Sequence, residues 1–178
     1  MALEIFSGNG DTLNVKRYRN AKDDGKWRWI LFDLDWAFYV DTNSIGRWLK
    51  PGGMGTNLRT DNTLFIACMK NPIFREQFLT YFGEQLATTF STENTVSLFM
   101  ERYELIDGLL PAYQEKWNLK PSGMANSMKK LKEYCETRPT KILGYFQDTF
   151  HFSEEEFYKY FGDAVAEIER YAAENGNS

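Results

Sequence analysis

Trp27-Arg-Trp-Ile-Leu-Phe-Asp-Leu-Asp-Trp-Ala-Phe38 is an aromatic and aliphatic run that leads straight into two carboxylates, Asp33 and Asp35. Four to eight consecutive apolar residues read as a buried strand. Acids placed i and i+2 at its end project from one face, where they can share a cation, so divalent metal binding is the chemistry this spacing suggests. Upstream, Leu13-Asn-Val-Lys-Arg-Tyr-Arg19 is also strand-like. The polar stretch between the two runs, Asn20-Ala-Lys-Asp-Asp-Gly-Lys26, carries an Asp-Gly turn signal, and together they predict a hairpin. With Arg19 opposite Trp27, Leu13 and Asn14 fall opposite Phe32 and Asp33, and Asp11 falls opposite Asp35. Three acids and an amide then converge at the open end of the hairpin. That much negative charge is unfavourable unless a cation, or nearby lysines and arginines, offsets it.

The rest of the composition narrows the classes. At 178 residues and 43% apolar content the chain can bury one core of ordinary size, and one domain over residues 1–174 is the expectation, with a disordered tail at 175–178. Aromatics make up 16%, and in the second half they recur at helical spacing, which assigns them to packing. A net charge of −4 and an isoelectric point near 5.2 argue against a general nucleic-acid binder, which needs a basic face to displace counterions. Basic residues nevertheless crowd the hairpin: Lys16, Arg17, Arg19, Lys22, Lys26 and Arg28. One or two of these could contact phosphate, while the plainer reading is a solvated ribbon.

Cys68 and Cys135 lack C-x-x-C spacing and sit in helical patterns, so both are expected as free thiols, and zinc and redox chemistry are unsupported. The sole histidine, His151, has no partner motif, which leaves a serine or cysteine hydrolase without its base. No apolar run approaches a membrane span, and the first residues do not form a signal peptide, so no membrane partner is expected. As written the chain is expected in the cytoplasm, with the spore coat, cell surface or secretion open for a full-length protein.

The expected architecture is α+β and predominantly helical: a β-hairpin over about 12–35, a glycine-rich loop over about 39–59, and a helical bundle over 60–174. Pro51-Gly-Gly-Met-Gly55 matches no phosphate-loop or dinucleotide fingerprint. Asp61 or Asn62 caps a first helix through Met69, and Asn71-Pro72 opens a second carrying Phe74, Phe78, Tyr81, Phe82 and Leu86. Ser91 caps a third with the stripe Val96, Phe99, Met100, Tyr103, Ile106 and Leu110, and Pro111 either lies near its end or produces a kink. Ser122 caps a fourth that stops at Arg138-Pro139, with helix resuming from Thr140. Ser153-Glu-Glu-Glu156 is a capping box for a final segment with a break at Gly162-Asp163. All these stripes are expected to be core.

Two large enzyme classes end a strand in Asp-x-Asp, haloacid-dehalogenase-type phosphatases and metal-dependent glycosyltransferases. Both place it on an α/β scaffold that this pattern lacks. Protein kinases offer another order of parts: an aspartate, a metal-binding asparagine shortly after it, a hairpin, then a metal-binding aspartate. Asp11, Asn14 and Asp33 occur in that order.

The residues that carry this order, Gly8-Asn-Gly-Asp-Thr-Leu-Asn-Val-Lys-Arg-Tyr-Arg19 and Lys26-Trp-Arg-Trp-Ile-Leu-Phe-Asp-Leu-Asp-Trp-Ala-Phe38, with Asn71-Pro-Ile-Phe-Arg75 and Arg138-Pro139, resemble the C-terminal part of the bacterial spore-coat protein H (CotH) kinase family. The resemblance implies the C-lobe of an atypical protein kinase that transfers phosphate from ATP to serine or threonine of a protein substrate, with Mg2+ or Mn2+. It implies Asp11 as the catalytic aspartate, Asp33 as the principal metal ligand with Asp35 second, Asn14 as a further metal or cofactor ligand, and Lys16 as a cofactor contact. It also implies a partner, the nucleotide-binding N-terminal lobe of the same domain, which is expected upstream of Met1. The alternative is a non-catalytic helical interaction domain whose hairpin acids pair with Arg17, Arg19 or Arg28.

Overall fold

Asn71 and Pro72 open the helix on which most of the core is laid. The Asn71 side chain accepts hydrogen bonds from the Ile73 and Phe74 amides (2.9 and 3.2 Å), and Pro72 supplies a first-turn residue with no amide left unpaired. The computed structural model describes residues 1–9, 16–31, 33–39, 41–52 and 62–176. Among these the order is α1 (Ala2–Phe6), β1 (Lys16–Arg19), β2 (Trp27–Ile30), α2 (Ser44–Leu49), α3 (Thr63–Lys70), α4 (Pro72–Ala87), α5 (Thr92–Asp107), α6 (Leu110–Trp117), α7 (Pro121–Phe150) and α8 (Glu154–Asn175). The fold is thus predominantly helical with a two-stranded antiparallel hairpin. No helix of the described residues is long and apolar enough to cross a membrane.

The core is aromatic. Phe78, Leu79, Phe82 and Leu86 of α4 are buried, and the Phe82 ring lies 4.6 Å from Phe146 of α7, which lies 5.2 Å from Phe161 of α8. The same buried cluster takes in Ile5 and Phe6 of α1, Ile45 and Trp48 of α2, and Phe65 and Met69 of α3. Helix α4 packs most extensively on α8. The two backbones meet at Gly83, where an added Cβ would stand 1.8 Å from the Tyr160 carbonyl oxygen. Helix α8 starts with the expected capping box, Ser153 and Glu156 each bonding the other's backbone amide, and it continues without a break through Gly162.

Several expectations are corrected. The stretch expected as irregular loop contains α2, whose cap Asn43 accepts a hydrogen bond from the Gly46 amide at 2.8 Å. A side chain at Gly46 would stand 2.9 Å from the Asn43 oxygen, so the glycine that reads as a loop signal is what admits the cap. Asn62 precedes α3, but its amide donates to the Trp48 and Lys50 carbonyls (both 2.8 Å) and ties α3 to α2 instead of capping α3. Pro111 lies just beyond the end of α5, which stops at Asp107, and puts no kink in it. It occupies the first turn of a separate helix, α6.

The apolar stripe of α5 is not core: Thr92 and Thr95 are its buried residues, and Ile106 remains 45% exposed. This helix packs mainly on α7, and a single neighbouring helix covers only part of such a stripe. Helix α7 begins at Pro121 with Lys120 as cap, not at Ser122, and runs unbroken through Pro139 to Phe150. An interior proline costs roughly 3 kcal/mol in an exposed helix. Here its ring is fully buried and the adjacent Arg138 is bonded on both sides of the core, which offsets that cost.

Replacing Gly83 by alanine forces α4 and α8 apart, since the atom in the way is backbone. The expected loss is about 1–3 kcal/mol, read as a fall of roughly 3–10 °C in Tm by calorimetry; an unchanged Tm would show that the two helices part at no cost.

Candidate functional site

The hairpin forms with the expected register. Lys16 pairs with Ile30, Arg17 with Trp29, Tyr18 with Arg28 and Arg19 with Trp27. Its turn is built from short polar residues: the Asn20 carbonyl accepts from the Asp23 and Gly25 amides (both 3.2 Å), and Gly25 takes the left-handed conformation, φ 68°. Arg28 folds back on the turn and grips Asp24 with two hydrogen bonds (2.8 and 3.0 Å), with Asp23 at 3.0 Å. A backbone bond from the Lys26 amide and these guanidinium bonds hold the Asp24 carboxyl below its ordinary range. Arg28 is therefore committed to the turn acids.

Beyond Ile30 the expected geometry changes. The strand ends there instead of running into the acids, and Asp33 adopts φ 58°, a left-handed conformation that reverses chain direction and is uncommon for a residue with a side chain. The argument that Asp33 and Asp35 share the face of one strand is corrected accordingly: both are exposed on a turn that follows the strand. The cause lies a few residues on. Phe38, also left-handed at φ 57°, donates its amide to the Ser7 carbonyl at 2.7 Å and places its ring 5.1 Å from Phe99 and 5.8 Å from Tyr134. Packing that half-buried ring and bonding the Ser7 carbonyl bring the chain at Phe38 back toward α1.

Lys16 opens β1 through its backbone. Asp11 and Asn14, the expected catalytic aspartate and its accompanying ligand, lie outside the described residues, as does the side chain of Lys16. Among the described residues no group of three or more His, Cys, Asp or Glu side chains stands close enough to hold a metal ion. The oxygen donors of Asp33 and Asp35 are of the hard type that Mg2+ and Mn2+ prefer, and both residues are exposed. On the side of the hairpin next to α1 and α4, Ile30 and Leu31 line a cleft of about 380 Å³ with Leu3, Glu4, Tyr81 and Gln85.

Two residues that the pattern reading did not single out as functional, Asp41 and Arg138, brace this region. Arg138 is fully buried and uses all five of its N–H groups. Nε donates to the Phe6 carbonyl (2.7 Å), Nη2 to the Ile5 carbonyl and the Ser44 hydroxyl (both 2.8 Å), and Nη1 to the Thr42 carbonyl (3.0 Å) and Asp41 Oδ1 (2.5 Å). Its guanidinium carbon lies 5.5 and 5.6 Å from the Tyr134 and Tyr145 rings. The Asp41 carboxylate also receives Lys141 Nζ at 2.7 Å and the Tyr145 hydroxyl at 3.3 Å.

Partial burial works to raise the Asp41 carboxyl, but hydrogen bonds from Lys141 and Arg138, and then their charges, outweigh it and hold it below the ordinary aspartate value. The Tyr134 hydroxyl, pushed up by burial, donates to the Phe6 carbonyl at 3.1 Å. Cys135, one position along, is buried and its thiol is pushed up to about 11, which removes it as a nucleophile near neutral pH; it and Cys68 are free. One sequence signal for Arg138 existed: it stands four residues after Tyr134 and four before Ile142, a core position on a helical stripe.

Because the Asp41 carboxyl is lowered by folding, its contribution to stability is present above the unfolded-state value near 4 and is lost as pH falls through the lowered folded value. Asp41→Asn is expected to cost about 1–3 kcal/mol at pH 7. In urea titrations repeated from pH 7 to pH 2.5 the gap between variant and parent should close toward the acid end; a gap independent of pH would show that the charge is not what stabilises.

Compared with known proteins, residues 1–142 match a family model described as CotH kinase protein. No curated protein matches the chain, and no solved structure does.

Proposed function

The chain belongs to the CotH kinase family, and from that premise we propose that it carries the metal-binding half of a phosphoryl-transfer site, resembling the C-lobe of an atypical protein kinase. The substrate is a serine or threonine hydroxyl of a protein and the donor is ATP. The observation that carries the reading is Asp33: an exposed carboxylate held in a left-handed conformation shortly after the hairpin, five residues before Phe38, whose half-buried ring packs on Phe99 and Tyr134. Strained backbone of this kind costs on the order of 1–3 kcal/mol and concentrates at functional sites.

In this reading Asp11 orients the substrate hydroxyl and accepts its proton, Asp33 is the principal ligand for Mg2+ or Mn2+, and Asp35 and Asn14 complete the ligand set. Lys16 contacts nucleotide phosphate. When bound, the divalent ion would neutralise charge on the phosphates of ATP. The residues of the chain fix where the hydroxyl and the acids stand, and positioning with charge stabilisation supplies most of the rate of such transfers. The nucleotide-binding lobe of the same protein is the proposed partner, and the domain spans residues 1–174.

The alternative, a non-catalytic helical interaction domain, draws on the exposed apolar residues Leu105, Leu109 and Trp117 at the α5–α6 corner. Of the arginines it invokes for the hairpin acids, Arg28 is engaged by the turn acids Asp23 and Asp24.

Calorimetric titration of MnCl2 into the chain and into Asp33→Ala separates the two readings. Binding by the parent and loss of at least about tenfold in affinity in the variant is the expected result; identical isotherms would abandon the kinase reading. In a protein that includes the nucleotide-binding lobe, Asp11→Asn should lower kcat by roughly 10²-fold or more with little change in KM for ATP, measured by phosphate incorporation into protein.

A further inference from the structure

Arg138 reaches two stretches of chain far apart in sequence. Its Nε and Nη2 hold the Phe6 and Ile5 carbonyls at the end of α1, and Phe6 stands five positions before Asp11. Its Nη1 and Nη2 hold Asp41, the Thr42 carbonyl and the Ser44 hydroxyl, and Asp41 stands eight positions after Asp33. We propose that Arg138 and Asp41 are positioning residues for the metal-binding aspartates Asp33 and Asp35: one buried guanidinium ties the chain that leaves those aspartates to the end of α1 and so fixes where it stands. The inference rests on the functional reading above.

The geometry suits that task better than it suits plain stabilisation. All five donors are spent on these two segments and none on a neighbouring turn of α7, so the residue acts as a cross-brace. The guanidinium is planar, and its fork fixes the direction of each bond it makes, which a lysine ammonium on a flexible stem cannot do. The clamp is reinforced from both sides. The Ser44 hydroxyl that accepts from Arg138 itself donates to the Ile5 carbonyl at 2.5 Å, and the Phe38 amide bonds the Ser7 carbonyl, so the two segments also touch directly. Lys141 holds the other oxygen of the Asp41 carboxylate, Oδ2, while the Tyr145 hydroxyl donates to the same Oδ1 that Arg138 holds, so the carboxylate is fixed at both oxygens. A displacement of about 1 Å between reacting groups can cost on the order of 10²-fold in rate, and ion affinity is comparably sensitive to where the ligands stand.

The test measures Mn2+ affinity of the full chain by the electron paramagnetic resonance signal of free Mn2+, at about 10 °C with folding checked by circular dichroism. The variants are Asp41→Asn, Arg138→Lys, Gly83→Ala and Asp33→Ala. Asp41→Asn and Arg138→Lys are expected to retain native ellipticity yet bind Mn2+ about five- to tenfold more weakly. Gly83→Ala destabilises the α4–α8 contact away from the clamp, so it should lower Tm and leave the affinity unchanged. The proposal is overturned if the folded clamp variants bind as the parent does, or if Gly83→Ala weakens binding as much as they do. Should Arg138→Lys not fold, Asp41→Asn alone decides, since it leaves four of the five guanidinium bonds in place. If the parent fails to bind, or binds no better than Asp33→Ala, the functional reading itself falls and this inference falls with it, whereas loss in Asp33→Ala with no loss in the clamp variants removes the positioning role only.

Discussion

The fully buried guanidinium of Arg138 is the interaction on which the arrangement around the hairpin depends. An arginine removed from water is tolerated only when its charge is paired and its donors are bonded, and here a carboxylate, three backbone carbonyls and a hydroxyl meet that demand. The requirement runs in both directions. The carbonyls at the end of α1 have no further turn of helix to accept from, so the side chain from α7 completes a helix terminus as well as satisfying itself. Three segments that share no local signal, residues 5–6, 41–44 and 138, are thereby fixed to one point.

The aromatic core provides the rigidity that makes such a point useful. Phe82, Phe146 and Phe161 bring α4, α7 and α8 together, and the glycine at position 83 lets two of those helices approach until backbone meets backbone. The hairpin is the opposite case. Two strands of four residues cannot bury much of themselves, and Trp27, Ile30 and Leu31 remain exposed. Two-stranded ribbons are marginal alone, so this one is held by its turn, through Arg28 and the two acids beside it, and by Phe38, whose ring enters the core just beyond the exposed carboxylates.

How much could be read from the residues follows from the range of each interaction. The register of the hairpin was legible because an Asp-Gly turn and two short strand-like runs set it within fifteen residues. The starts of α4, α5 and α8 were legible because Asn71, Ser91 and Ser153 bond amides two or three positions away. The acids at 33 and 35 were legible as candidate ligands, yet their backbone was not. The turn at Asp33 answers to Phe38 meeting Phe99 and Tyr134, residues far along the chain. Asp41 gave no sign, because its partners lie about a hundred positions later.

By itself, the sequence determined the hairpin with its register and where three of the helices, α4, α5 and α8, begin, since each of these depends on bonds between close neighbours. Tertiary structure alone decided that α7 passes through Pro139, that the stripe of α5 stays partly outside, that α2 forms among glycines, and that Arg138 joins α1 to Asp41. In each of those cases the deciding energy comes from burial against, or bonding to, a distant part of the chain, and no local pattern carries that information.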